Sequence, residues 1–146
     1  MDDAIATALL TAFADVTGSP IAVHNALYLA IPYKLSRSQA DDSWELPWGV
    51  FKGLTANPVT AKNRAEGGQD DVTMRFEFEA ATAPDADKLV ELCRIWADGL
   101  KLSLSDGTKI RLSRGQTFFA DKVHDEVDPE TAPYRASIDF QYIRQY

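Results

Sequence analysis

The sequence predicts an α+β domain, a mainly antiparallel sheet of about four to six strands with two helices packed on one face. Three observations carry this expectation. Two segments, one near the N-terminus and one after residue 82, repeat apolar residues at helical spacing. Residues 72–80 and 134–142 alternate apolar and polar side chains, as half-buried strands do. Asp106-Gly107 separates two short apolar runs, which is a strong local signal for a hairpin. At 146 residues the chain reads as a single domain, 1–146, long enough to build a core without disulfides or metal.

The elements follow in order. Asp3 to Val16 reads as a helix with Ile5, Leu9, Ala12, Phe13 and Val16 on one stripe. Asp2 and Asp3 suit the positive end of its dipole, and Thr17-Gly18-Ser19-Pro20 stops it. Leu27, Leu29 and Ile31 alternate with Tyr28 and Ala30 as a short strand, which Pro32 confines to an edge or an end. Trp48 to Leu54 reads as a strand with Trp48, Val50 and Leu54 on one side and Phe51 on the other. Residues 55–71 are polar, contain Asn57-Pro58 and Gly67-Gly68, and exceed the usual length of an idle loop. They are expected to form a functional arm or a long hairpin tip.

Val72, Met74, Phe76 and Phe78 then alternate with Thr73, Arg75, Glu77 and Glu79, one face buried and one face wet. Thr82 caps a second helix, with Pro84 in its first turn and Asp85 at the capping-box position. Leu89, Leu92, Cys93, Trp96 and Leu100 form its apolar stripe. After the Leu102–Leu104/Ile110–Leu112 hairpin come a strand over Thr117–Val123, an acidic loop over Asp125–Pro133 and a closing strand over Tyr134–Tyr142. The polar sheet face would carry Arg75, Glu77, Glu79, Asp139 and Gln141 as an open surface.

The formal charge is −7 and the pI about 4.7, which argues against broad binding to a phosphate backbone. Met1-Asp2-Asp3 lacks the basic start of a secretory signal, and no apolar run approaches a bilayer span, so a cytoplasmic site of synthesis is expected. One cysteine excludes a disulfide framework.

A search for chemistry returns no catalytic, cofactor or metal site. His24 and His124 lie in no metal-binding spacing and read as surface or structural residues. The acids around His124, namely Asp121, Asp125, Glu126 and Asp128, read as a solvated loop. Cys93 sits on the apolar helix stripe and reads as core. Glu77 and Glu79 share a sheet face but come with no pocket. Trp96 reads as core, whereas Trp44, set among Asp41, Asp42, Ser43 and Glu45, suits either local packing or an interface anchor.

The layout resembles the tail terminator (tail completion) proteins of long-tailed bacteriophages. The resemblance rests on the N-terminal helix Ala4–Val16 followed by Ser19-Pro20-Ile21-Ala22, and on Leu46-Pro47-Trp48-Gly49-Val50-Phe51, where proline leads into an early strand. It rests also on Val72–Phe78 followed by the helix Asp85–Leu100, and on the strand after Gly115 and the final strand Tyr134–Tyr142. It covers nearly the whole chain as layout rather than as a signature. It implies a non-enzymatic virion protein without cofactor, in the tail or neck and in the host cytoplasm during assembly. Its partners would be other copies of itself in a ring, typically a hexamer, together with the tail tube protein and the head–tail connector or neck protein. DNA would pass through the lumen without specific binding, helped by a negative lumen.

A ring needs two different patches on each subunit. Position in the sequence nominates Trp44 and Trp48, the arm residues Arg64, Glu66 and Asp70, and the sheet carboxylates Glu77 and Glu79 as interface candidates. Two alternatives remain at this stage. One is another head–tail joining protein of the same architecture. The other is a dimeric ferredoxin-like ligand-binding protein or enzyme, with Tyr28, Trp48, Phe118 and His124 lining a pocket.

Overall fold

A computed structural model describes residues 3–14, 27–29, 47–59, 68–123 and 132–145. The element order is α1 (Asp3–Ala14), β1 (Leu27–Leu29), β2 (Trp48–Pro58), β3 (Gln69–Ala80) and α2 (Ala83–Ala97). β4 (Lys101–Ser103), β5 (Lys109–Arg111), β6 (Ser113–Lys122) and β7 (Tyr134–Gln145) follow. Five strands form one sheet in the order β1-β2-β3-β7-β6, and β4 and β5 form a separate hairpin. The run β2-β3-β7-β6 is antiparallel throughout, while β1 joins β2 in parallel. The expected α+β architecture is present.

The alternation in β3 and β7 builds the core. Met74, Phe76 and Phe78 stand opposite Phe140, Ile138 and Ala136, and all six are buried. α2 lies over β3, β7 and β6 and adds Ala86, Leu89, Val90, Cys93 and Ala97 to the same cluster. α1 adds Ile5 and Leu9, and the β4–β5 hairpin closes the layer with Leu102, Leu104, Ile110 and Leu112. Phe76 is the centre of this core: Phe51, Phe78, Trp96 and Phe140 all place their rings within 6.5 Å of it, Trp96 and Phe140 edge-on. Burial raises the pKa of the Cys93 thiol well above its ordinary value, which suits packing and disfavours nucleophilic chemistry.

The α2 cap forms as the sequence predicts. Thr82 has extended backbone and its hydroxyl accepts from the Asp85 N–H at 3.3 Å. The helix ends at Ala97, three residues before the expected Leu100, because Gly99 takes a left-handed φ of 79° and its N–H bonds the Leu112 carbonyl. That bond delivers the chain into the hairpin.

β2 keeps the expected alternation at Val50 and Phe51, and Phe51 is the one that enters the core. Val50 is also buried, on the other face, opposite Glu77. Leu54 is the extra residue of a bulge between Gly53 and Thr55 and is 38% exposed. β2 and β3 both run further than expected, so the legs of the arm are strands: Thr55–Pro58 pairs with Asp70–Thr73, and Val59 donates to the Gln69 carbonyl. The tip of the arm, 60–67, lies outside the described residues, as do 15–26, 30–46 and 124–131, and with them the expected end of the first helix, His24 and the acidic loop.

A polar clasp ties the hairpin to the end of β7. The Arg144 guanidinium, itself buried, donates to the Thr108 hydroxyl at 2.8 Å and to the Asp106 carboxylate at 2.8 Å. Asp106 also accepts from the Thr108 N–H at 2.9 Å. The Thr108 hydroxyl, with Arg144 beside it, holds the Asp106 carboxyl well below the usual carboxylate range. A lowered native pKa contributes stability that is fully present above the unfolded value of about 4 and is lost as pH falls towards the native one. The stability difference between the wild type and Asp106→Asn should therefore be constant at neutral pH and shrink steadily below about pH 4, as read by urea unfolding across pH. A difference that persists unchanged to pH 2 would show that Asp106 acts through packing, not charge.

Candidate functional site

The face of the sheet turned away from α2 is where the sequence places an open polar surface. The structure closes it. Glu77, Ser137 and Asp139 are buried, and Glu79 is 0% exposed. Register explains how the charges meet. Arg75 stands opposite Asp139, and Glu79 opposite Arg135, so each cation faces a carboxylate across one ladder. Arg75 makes a two-pronged contact with Asp139, at 2.7 and 3.1 Å, and also lies over the Phe118 ring, 4.5 Å from its centroid. Arg135 grips Glu79 at 2.6 and 3.1 Å. Lys52 reaches diagonally to Glu77 at 2.9 Å. The Asp139 carboxylate raises the pKa of the Arg75 guanidinium above its ordinary value, so that charge is permanent.

The sequence-nominated residues therefore separate. Glu77 and Glu79 are engaged inside the chain as members of this ladder. Asp70, the second residue of β3, stands opposite Arg144 and is half-buried. Trp48 begins β2, level with Glu79, and nothing is described of its side chain. Trp44, Arg64 and Glu66 lie outside the described residues. The pocket expected around Tyr28, Trp48, Phe118 and His124 cannot be traced, because of these four only the Phe118 side chain is described, and it is taken up by Arg75.

An open groove of about 550 Å³ runs between α1 and β4. Ala4, Thr7, Ala8 and Thr11 line one wall, Leu102 and Leu104 the other, and Asp3 and Lys101 are its charged groups. Such a lining offers small residues, hydroxyls and one charged group of each sign. Among the described residues no group of three or more His, Cys, Asp or Glu side chains could hold a metal ion. Among them, too, no helix is long and apolar enough to cross a membrane.

The outer surfaces carry features that the sequence reading missed. β6 is an edge strand interrupted by two bulges, and Phe119 at the second is 81% exposed. Gly115 sits at the first, where a Cβ would lie 3.1 Å from the Asp139 carbonyl oxygen, so a larger residue would require β6 and β7 to give by a few tenths of an ångström. Asp87 of α2 accepts from the Ala120 N–H at 2.7 Å and so occupies one donor of this strand. The outward face of the β4–β5 hairpin is basic: Lys101 and Arg111 stand opposite each other with Lys109 beside them, and Arg114 follows at the start of β6. Lys109 and Arg111 flank the buried Ile110 at strand spacing, a signal the sequence contained but net charge conceals.

No protein-family model matches the sequence, and no curated protein does. Among solved structures the chain is similar to a protein in the virion of a native gene transfer agent particle, with a TM-score of 0.67 at 14% identity. The match covers 98% of this chain and 96% of the other. The two chains share a fold along nearly their whole lengths.

Proposed function

We propose that this chain is a virion structural protein of a phage-like particle, and that it forms a ring, hexameric in the manner of the tail terminators it resembles, that caps the tail tube and joins it to the head. The observation that carries the reading is the end-to-end fold likeness to a protein of a gene transfer agent virion. The arm supports it. Among the described residues β1 lines β2 at Gly49–Phe51, the paired legs run beyond it, and they expose Leu54 and Val59. Exposed apolar side chains on a projecting hairpin suit contact with another subunit. The buried charge ladder fits a scaffold whose sheet is finished within one chain, leaving edges and arm for assembly.

The test is mass in solution by light scattering over a concentration series, alone and with purified tail tubes of the same particle, followed by negative-stain imaging. Rings of about six subunits, or density at tube ends, are expected. A chain lacking residues 61–68 should melt like the wild type yet fail to form rings or cap tubes. A tight dimer at every concentration that ignores tubes would overturn the reading. Binding to the isolated head connector but never to tube ends would move the protein to a neighbouring position in the neck.

A further inference from the structure

We propose that the outward face of the β4–β5 hairpin binds the phosphate backbone of duplex DNA, through Lys101, Lys109 and Arg111 with the Ser103 hydroxyl beside them. The choice of duplex DNA as the polyanion rests on the virion reading, whereas the cationic face follows from the hairpin itself.

Register composes the face. Lys101 stands opposite Arg111 and Ser103 opposite Lys109, while Leu102 and Ile110 point the other way into the core. The four outward side chains are therefore three cations and a hydroxyl, all exposed, in a chain whose net charge is −7. The main sheet pairs opposite charges: Arg75 faces Asp139, and Arg135 faces Glu79. In the hairpin Lys101 and Arg111 face each other instead, and like charges directly opposite weaken a free hairpin. An anion set against both removes that cost.

The chain supplies no such anion. Among the described residues Lys101, Lys109 and Arg111 make no ion pair with a carboxylate, Asp3 and Asp98 included. Asp106 is held by Arg144, and Glu91 by Arg94 at 3.0 Å. The face is also held in place. Arg144 clasps the hairpin turn through Asp106 and Thr108. A Cβ at Gly99 would lie 3.5 Å from Nη2 of Arg111, so this guanidinium is seated against the turn that ends α2. Cations fixed before binding lose less freedom when a partner arrives.

Side-chain chemistry favours a phosphate backbone over an acidic protein surface. Stable protein interfaces enclose an apolar or aromatic core within a polar rim. No outward side chain of this hairpin is apolar or aromatic. Lysine, arginine and hydroxyl side chains are the groups that contact nucleic-acid phosphates. Lys109 and Arg111 are roughly 7 Å apart along one strand, so each can take a different phosphate. Such a contact reads charge and not base edges, and it is independent of sequence.

Fluorescence anisotropy of a short labelled DNA duplex of mixed sequence, titrated with the full chain over a salt series, tests this. Affinity should fall with salt on a log–log slope of about −2.7, the value for three phosphate contacts. K109A should make that slope shallower by about one, and K101A/K109A/R111A should bind at least about tenfold more weakly. K88A removes an exposed cation from α2, outside the face, and should match the wild type in slope and affinity. Thermal melting checks that each variant is folded. A wild type that does not bind at low salt even at millimolar protein would overturn the inference. So would a K88A chain weakened as much as K109A, since binding would then follow net charge alone. A triple variant that binds DNA like the wild type yet fails to cap tubes would assign the face to a protein partner and overturn it too. Binding through the face by a chain that never assembles on tubes would support this contact and overturn only the ring reading.

Discussion

Replacing Arg75 with methionine should cost about 2–3 kcal/mol of stability, near the low end for breaking a buried ion pair. The guanidinium is one quarter exposed, which moderates the loss, but its partner Asp139 is 7% exposed and would lose both of its bonds from Arg75 at once. Phe118 would also lose the cation above its ring. Methionine keeps most of the side-chain volume, so the effect reports charge rather than a cavity. The double variant Arg75→Met/Asp139→Leu should regain most of the loss, because removing both charges leaves neither one stranded. Urea unfolding at pH 7 measures both. A single variant within about 0.5 kcal/mol of the wild type would mean that the ladder is solvated after all.

Truncating Phe76 to alanine should be more damaging, at about 4 kcal/mol, because the ring is fully buried and four other rings pack around it. The space it leaves is bounded by three strands, which cannot close inwards without breaking ladder bonds, and by α2. A domain of this size should melt on the order of 10 °C lower. Leucine at the same position should recover roughly half of the loss by refilling volume without edge-on ring contacts. If alanine and leucine behaved alike, ring geometry rather than volume would be holding the core.

Much of the architecture can be read from residue order because it depends on near neighbours. The alternation of Val72, Met74, Phe76 and Phe78 dictates one buried strand face whatever lies above it. Thr82 and Pro84 start α2 through a bond three residues away, and Gly107, at φ 87°, turns the hairpin locally. The edges of elements were harder. The arm legs look like loop because Ala56, Asn57 and Pro58 have little strand propensity, and only pairing with Asp70–Thr73 extends them. The alternation in β2 does not say which side meets the core, because both of its faces are buried and Val50 and Phe51 are each apolar for different neighbours.

The candidate surfaces show the same division. Asp70 and the arm stand out in the sequence by position and length. The basic face does not, since Lys101 and Arg111 are ten residues apart and meet only because the hairpin folds. Glu77 and Glu79 read as surface because charged residues that alternate with apolar ones are usually solvated. Nothing local tells that Lys52 and Arg135 will arrive to neutralise them.

The sequence by itself therefore determined the two helices, the apolar face of the central strands and the Asp106-Gly107 turn, because propensity, capping and periodicity act within a few residues. Tertiary structure alone decided which charges are buried together and which are left facing outwards. Ion pairing across β2, β3 and β7 is a matter of register between segments up to 64 residues apart, and distance along the chain carries no record of it.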